Sequence, residues 1–223
     1  MSKRTNVKQL SVVAMLCALG YLCTVLFKFK VGFLTFDLKD AVISIASLLY
    51  GPVSGLLASL AVAFLEMITV SETGIYGFLM NFLSSGTFAL TCGFIYKYRK
   101  SMSGAVLGVS ASAVSVTSVM MLFNLLITPL YMNVDREVVI GMLVPTLLPF
   151  NLTKAVLNGA LLLLIYKPFT SALRKMGLVP KSSNSNYKFG IKSVIMIVLS
   201  LVVVALTLTF FVLYLEGSFV FIK

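Results

Sequence analysis

The sequence predicts an all-α, polytopic membrane helix bundle, and three observations carry that prediction. Of 223 residues, 59% are hydrophobic and 11% are charged, with a mean hydropathy of +1.04. A soluble domain carries about 25% charged residues, and a chain this short cannot hide so much apolar surface in a water-facing globule. Apolar runs recur at about the 20-residue length that crosses a bilayer. The basic residues are also segregated. Twelve of the eighteen Lys and Arg fall in three stretches, namely Lys3, Arg4 and Lys8; Lys97, Arg99 and Lys100; and Lys167 through Lys192. None of the seven acids lies there, which is the bias of cytoplasmic loops.

The first span is expected at about residues 9–27. It is too long for a signal-peptide h-region and lacks a small-x-small cleavage site before Lys28. A lightly basic, Gly-containing connection follows, from Lys28 to Lys39. The apolar stretch from Asp40 to Val70 is too long for one helix and too short for two ordinary ones. Gly51-Pro52 divides it, because such a dipeptide breaks a helix by sterics and a missing donor. A short or tilted second span of about 37–50 and a third of about 52–70 result. The fourth, about 74–96, ends at Tyr96-Lys97-Tyr98-Arg99-Lys100, and the fifth, about 103–128, is expected to stop at Pro129. Residues 130–144 are a polar connection with Asp135, Arg136 and Glu137 and room for a short helix. The sixth span, about 145–166, is closed by Lys167-Pro168. Residues 168–188 then read as a basic, Ser/Asn-rich linker. A seventh, almost pure Val/Ile/Leu/Phe span of about 189–215 completes the chain. The organisation is therefore a core of residues 1–167, a cytoplasmic linker of 168–188, and an extra helix with a short outer tail, 189–223.

With a cytoplasmic N-terminus, all three basic stretches fall on the cytoplasmic side and all loop acids on the other. The basic charge has no compact, aromatic-interleaved domain around it, which excludes nucleic-acid binding. Cys17, Cys23 and Cys92 sit in apolar runs, with no His and no CxxC spacing, so neither a disulfide framework nor a metal site is expected. No phosphate loop GxxxxGK[ST] and no GxSxG elbow occur. Without an evident internal repeat the chain also fits poorly as a self-sufficient secondary transporter. A binder that borrows its energy source elsewhere fits best.

A charge near the bilayer centre costs roughly 2.5–3.5 kcal/mol on insertion scales, so each one invites a functional explanation. Asn151, Lys154 and Asn158 are spaced i, i+3, i+7 on the sixth span and share one face. Lys154 either faces a cavity or extends its ammonium to the outer interface. Asn124 and Thr128 lie one turn apart on the fifth span, as ligand contacts or as interhelical hydrogen bonds. Glu66, near the outer end of the third span, is open to a role as a simple interfacial acid. Asp37, Lys39 and Asp40 crowd the outer start of the second span, where an Asp either caps the helix or meets a ligand. Tyr76 and Asn81 enter the fourth span from the same side. Their convergence predicts an outward-opening pocket for a polar, planar or amide-bearing ligand. On the first span, Ala14-x-x-x-Ala18 offers close approach to another helix.

The segment NLLITPLYMNVDREVVIGMLVPTLLPFNLTKAVLNGALLLLIYK resembles the fifth span, loop and sixth span of the riboflavin-specific S component of energy-coupling factor (ECF) transporters. FDLKDAVISIASLLYGPVSG resembles that family's second span with its Gly-Pro break, and GIYGFLMNFLSSGTF the start of its fourth. Ala14-x-x-x-Ala18 is similar to the small-residue motif with which S components dock. The resemblance implies a six-helix core that binds riboflavin from the outer face of a bacterial cell membrane. It also implies a shared transmembrane coupling subunit and two cytoplasmic ATPases as partners, toppling in the bilayer for release, and no catalysis or resident cofactor of its own. By the same resemblance Asn124, Asn151, Lys154 and Asn158 are flavin contacts, followed by Asp40, Glu66, Tyr76 and Asn81. The residues themselves leave three other readings: an S component for folate or pantothenate, a membrane enzyme with Lys154 and Glu66 as acid and base, and an assembly protein. The seventh span has no counterpart in the six-helix unit.

Overall fold

The computed structural model describes residues 3–178, 191–214 and 218–220. The helices are α1 (Lys3–Leu26), α2 (Lys39–Tyr50), α3 (Pro52–Thr69), α4 (Gly74–Tyr98), α5 (Met102–Met132), α6 (Arg136–Met142), α7 (Leu148–Lys175) and α8 (Ile191–Leu213). Three short strands, β1 (Lys28–Val31), β2 (Leu34–Phe36) and β3 (Ser218–Val220), form one antiparallel sheet in the order β2-β1-β3. The helical membrane bundle is as expected. Among the described residues, α1, α3, α4, α5 and the continuous stretch Arg136–Lys175 contain segments long and apolar enough to cross a bilayer. The apolar part of α8 described, Ile197–Phe210, is shorter.

The second span proves to be the short alternative. Its 12 residues reach about 18 Å at 1.5 Å per residue, against a hydrocarbon core of about 30 Å. It is nonetheless the most enclosed helix, since nine of those residues are buried, including Ile43, Ile45 and Ser47. Gly51 adopts φ 100°, a conformation that Cβ-bearing residues avoid, and Pro52 opens α3, so the break falls where the dipeptide put it. α2 is clasped by α3 and α4 at Ser47, whose hydroxyl donates to Ala89 O at 2.6 Å. A Cβ on Gly93 would collide with that hydroxyl.

Two helix ends differ from expectation. α5 continues through Pro129 to Met132, and α7 through Pro168 to Lys175. A proline removes only one intrahelical donor, and neighbouring helices hold the chain helical past it. α5 ends instead at Asn133, in the left-handed region at φ 53°, with Val134 N donating to Pro129 O. Between α6 and α7 lies a π-helical turn, Leu143–Leu147.

The two ends of the bundle are chemically distinct. Lys8 Nζ donates to Gly177 O at 3.0 Å, and Gln9 Nε2 to Ser54 Oγ at 3.3 Å, which gathers the starts of α1 and α3 with the end of α7. Lys97, Arg99 and Lys100 terminate α4 at that end. The opposite end carries the strands, Glu72, Asp135 and Glu137. The main core joins α1, α2, α3, α4, α5 and α7 through residues such as Leu16, Ile43, Val62, Phe88, Val116 and Leu162. A smaller cluster of Phe36, Phe150 and Leu157 takes Val204 and Leu208 of α8 against it. The seventh helix therefore packs on the bundle rather than standing apart.

Candidate functional site

The strand end of the bundle encloses a cavity of about 170 Å³. Lys30 and the residues from Gly32 to Thr35 form one side, and Thr24 of α1, Asp37, the α3–α4 connection and α3, α4, α5 and α7 supply the rest. Of the residues singled out in the sequence, Asp37, Glu66, Tyr76, Asn81, Asn124, Asn151 and Lys154 line it. Ser84, Met80, Met120, Tyr131 and Phe150 also do. Asp40, Thr128 and Asn158 are buried behind it instead.

The polar floor is a connected ionic chain. Lys154 is 6% exposed and its Nζ donates to Asp37 Oδ2 at 2.9 Å, so it does not extend to an interface. Lys39, reached from the other side, lies 3.4 Å from the same oxygen and 2.6 and 2.8 Å from the two oxygens of Glu66. Glu66 is 1% exposed, which rules out a simple interfacial acid, and accepts further bonds from Thr24 Oγ1 at 2.7 Å and Asn81 Nδ2 at 2.8 Å. A buried carboxylate is tolerated where every lone pair is so engaged. Lys154 and Glu66 thus meet through Asp37 and Lys39, not directly. An acid–base pair acting on one substrate proton would need the two within hydrogen-bond reach, bridged by at most one water.

The residues behind the cavity serve the frame. The start of α2 has no side-chain cap from Asp40, whose carboxylate instead accepts from Ser85 Oγ. Asp37 Oδ1 accepts from Lys39 N at 3.4 Å, and the next free donor is met from across the bundle: Asn158 Oδ1 accepts from Ala41 N at 3.0 Å, while its Nδ2 donates to Asp37 O at 2.9 Å and Lys154 O at 3.1 Å. One amide thereby ties the start of α2, the Asp37 backbone and α7 together. Thr128 Oγ1 donates to Asn124 Oδ1 at 2.9 Å, and Asn124 Nδ2 to Met120 O at 2.7 Å. Asn151 Nδ2 donates to Leu147 O at 2.8 Å. Each of these two amides keeps hydrogen-bonding capacity beyond those contacts, at the cavity.

Aromatic rings complete the rim. Tyr131 stands between Phe33 and Tyr76, with centroid separations of 6.2 and 6.4 Å. Phe36 meets Phe150 edge-on at 6.1 Å. Planar apolar faces above a polar floor suit a flat ligand with hydrogen-bonding edges. In the sequence Asp37 and Lys39 stand out only as a cluster at a helix start. Their partners are 27 and 117 residues away, so the ion pairs were not readable from spacing. Tyr131, Ser84 and the hairpin residues carried no sequence signal of their own.

Residues 8–166 match the family model of the ECF transporter substrate-specific component. The chain belongs to this family. It is 27% identical over 179 residues to the riboflavin transporter RibU of Staphylococcus aureus (strain TCH60), covering 76% of this chain and 94% of that protein. It is also 27% identical over 173 residues to the riboflavin transporter FmnP of Bacillus subtilis (strain 168), with 72% and 91% covered. The solved S component of a bacterial ECF transporter superposes with a TM-score of 0.65 at 26% identity, over 76% of this chain and 99% of that one. The S component for biotin shares the fold, at a TM-score of 0.53 and 17% identity over 77% and 95% of the two chains. This S component is accordingly a multi-pass membrane protein, and the expected family resemblance is borne out.

Proposed function

We propose that this chain is the riboflavin-binding subunit of an ATP-driven ECF vitamin importer, not an enzyme. The observation that carries the reading is the cavity, which sets aromatic rings over a floor of amide and ionic groups, in a chain whose relatives are named riboflavin transporters. A flavin presents a flat tricycle, a pyrimidine edge of donors and acceptors, and ribityl hydroxyls. Phe33, Tyr76 and Tyr131 suit the plane. Asn124, Asn151, Lys154, Glu66 and Asn81 suit the polar edges, with Asp40, Thr128 and Asn158 holding the frame. The cavity, at about 170 Å³, is smaller than the roughly 300–1,000 Å³ of drug-sized sites, so a flavin requires it to widen, and in this reading the β1–β2 hairpin is the wall that gives way.

In this reading the N-terminus and the basic end face the cytoplasm and the cavity opens outward. Residues 1–167 are the binding core, 168–188 a linker whose first residues, 168–175, continue α7 and whose residues 179–188 lie outside the described residues, and 189–223 an added helix and tail. Ala14 and Ala18 form the docking face for the coupling subunit, which works with two cytoplasmic ATPases. Both alanines are exposed on α1, on the side away from the core-facing Val12, Leu16 and Cys17. Small exposed residues four apart permit close helix approach.

The test is an absorption spectrum of detergent-purified protein after denaturation, followed by titration of the stripped protein with riboflavin. Released flavin, or saturable binding, is expected. A sample free of flavin that also fails to bind added riboflavin refutes this ligand and points to another vitamin.

A further inference from the structure

The family match ends at residue 166, and about three quarters of this chain covers the solved S component almost end to end. α8 and β3 lie beyond that shared unit. Neither lines the cavity, but both pack on elements that do. Val204 and Leu208 of α8 pack on the cluster of Phe36, Phe150 and Leu157, and Phe150 is itself part of the cavity wall, as is Leu34, which packs on the same cluster. β3 pairs antiparallel with β1, with Lys28 opposite Val220, Phe29 opposite Phe219 and Lys30 opposite Ser218. The other edge of β1 holds β2, and these two strands and their turn contribute Lys30, Gly32, Phe33, Leu34 and Thr35 to the cavity.

We propose that the C-terminal helix and strand are a positioning element of the ligand site, with α8 backing its aromatic wall and β3 strapping the hairpin over it. A two-stranded hairpin is marginally stable in water, and a third strand supplies the hydrogen bonds that hold it. The hairpin must move for ligand to enter or leave, so β3 slows that exchange. The chain carries in its own C-terminus a restraint that the shared six-helix unit lacks. This inference rests on the ligand reading above only for its second readout.

The experiment uses the full chain. Phe219→Pro, and separately Ser218→Pro/Val220→Pro, between them remove the donors of either ladder phase. Lys28→Cys/Val220→Cys tests the converse: opposed Cα atoms in an antiparallel pair stand about 4.5–5.5 Å apart, within the disulfide range of about 4.4–6.8 Å. The first readout, without ligand, is amide hydrogen exchange of residues 28–36, with α4 and α5 as the internal control of folding. At least one proline variant should exchange about tenfold faster there, the equivalent of one or two net hydrogen bonds, with α4 and α5 unchanged. The second is riboflavin release, followed by fluorescence. It should be faster in that variant, and slower in the oxidised cysteine pair than in the same protein reduced. Unchanged hairpin exchange in both proline variants, together with no disulfide in the cysteine pair, overturns the strap whether or not riboflavin binds. Altered exchange with unaltered release overturns its role in the site. Failure of the wild-type chain to bind riboflavin refutes the ligand assignment, while the exchange result still decides the strap.

Discussion

Replacing Lys39 by Met tests the ionic chain at its centre. The ammonium meets both oxygens of Glu66 at 2.6 and 2.8 Å and Asp37 Oδ2 at 3.4 Å, and it is 1% exposed. Without it, three buried carboxylates, Asp37, Asp40 and Glu66, face Lys154 alone. Removing one partner of a buried ion pair destabilises by about 3–5 kcal/mol, because the remaining charge is left without compensation. Glu66 keeps its bonds from Thr24 and Asn81, which places the expected loss at the lower end, about 3 kcal/mol. The assay is unfolding of detergent-purified protein by SDS in mixed micelles, followed by near-ultraviolet circular dichroism. The double variant Lys39→Met/Glu66→Gln restores the charge balance and keeps an acceptor for Thr24. It should recover a large part of the loss, with a coupling of about 2 kcal/mol between the two positions. A single variant within about 0.5 kcal/mol of the wild type, or two substitutions that simply add, would refute the reasoning.

Three further outcomes are expected. Lys154→Met folds, since Asp37 retains Lys39 at 3.4 Å, but binds riboflavin at least tenfold more weakly, equivalent to about 1.4 kcal/mol; unchanged affinity in a titration removes Lys154 from the site. Ala14→Trp leaves riboflavin binding intact and abolishes uptake in cells, because an indole blocks close helix approach; normal uptake sinks the docking face. Asn158→Leu leaves the Ala41 N–H and the Asp37 carbonyl without their partner, so stability should fall by about 2 kcal/mol or more. A variant of unchanged stability that loses only affinity would make Asn158 a ligand contact instead of a frame residue.

What could be read from the sequence was whatever local chemistry decides. Hydropathy located α1, α3, α4, α5 and α7, since lipid demands long apolar runs, and Gly51-Pro52 marked its break by sterics and the missing proline donor. Where a neighbouring helix intervenes, local rules fell short, as at Pro129 and Pro168, through which helices continue. The i, i+3, i+7 face of α7 placed Asn151, Lys154 and Asn158 inward correctly. It could not say that Asn158 would be consumed by the start of α2, 117 residues earlier. Likewise Lys39 and Glu66 each stood out as costly, but only packing shows that they satisfy one another. The β1–β2 hairpin is not legible because its alternating runs, KFKV and LTF, are only four and three residues long and its third strand arrives from the far end of the chain.

The π-helical turn at 143–147 has a bearing on how this protein tolerates change. A π-turn accommodates one residue more than the α-helical path it replaces, and one residue corresponds to about 100° of helical phase. The turn lies between Val139, the buried residue of α6, and the trio Asn151, Lys154 and Asn158. Its phase offset lets α6 cover the bundle with Val139 while α7 aims those three side chains inward. Deleting one residue between 143 and 147 would swing Val139 out toward lipid or water and leave the trio where it is. The π-turn thus fixes the length of this segment, because Val139 on one side of it and the α7 trio on the other are both buried and cannot both keep their places without the offset.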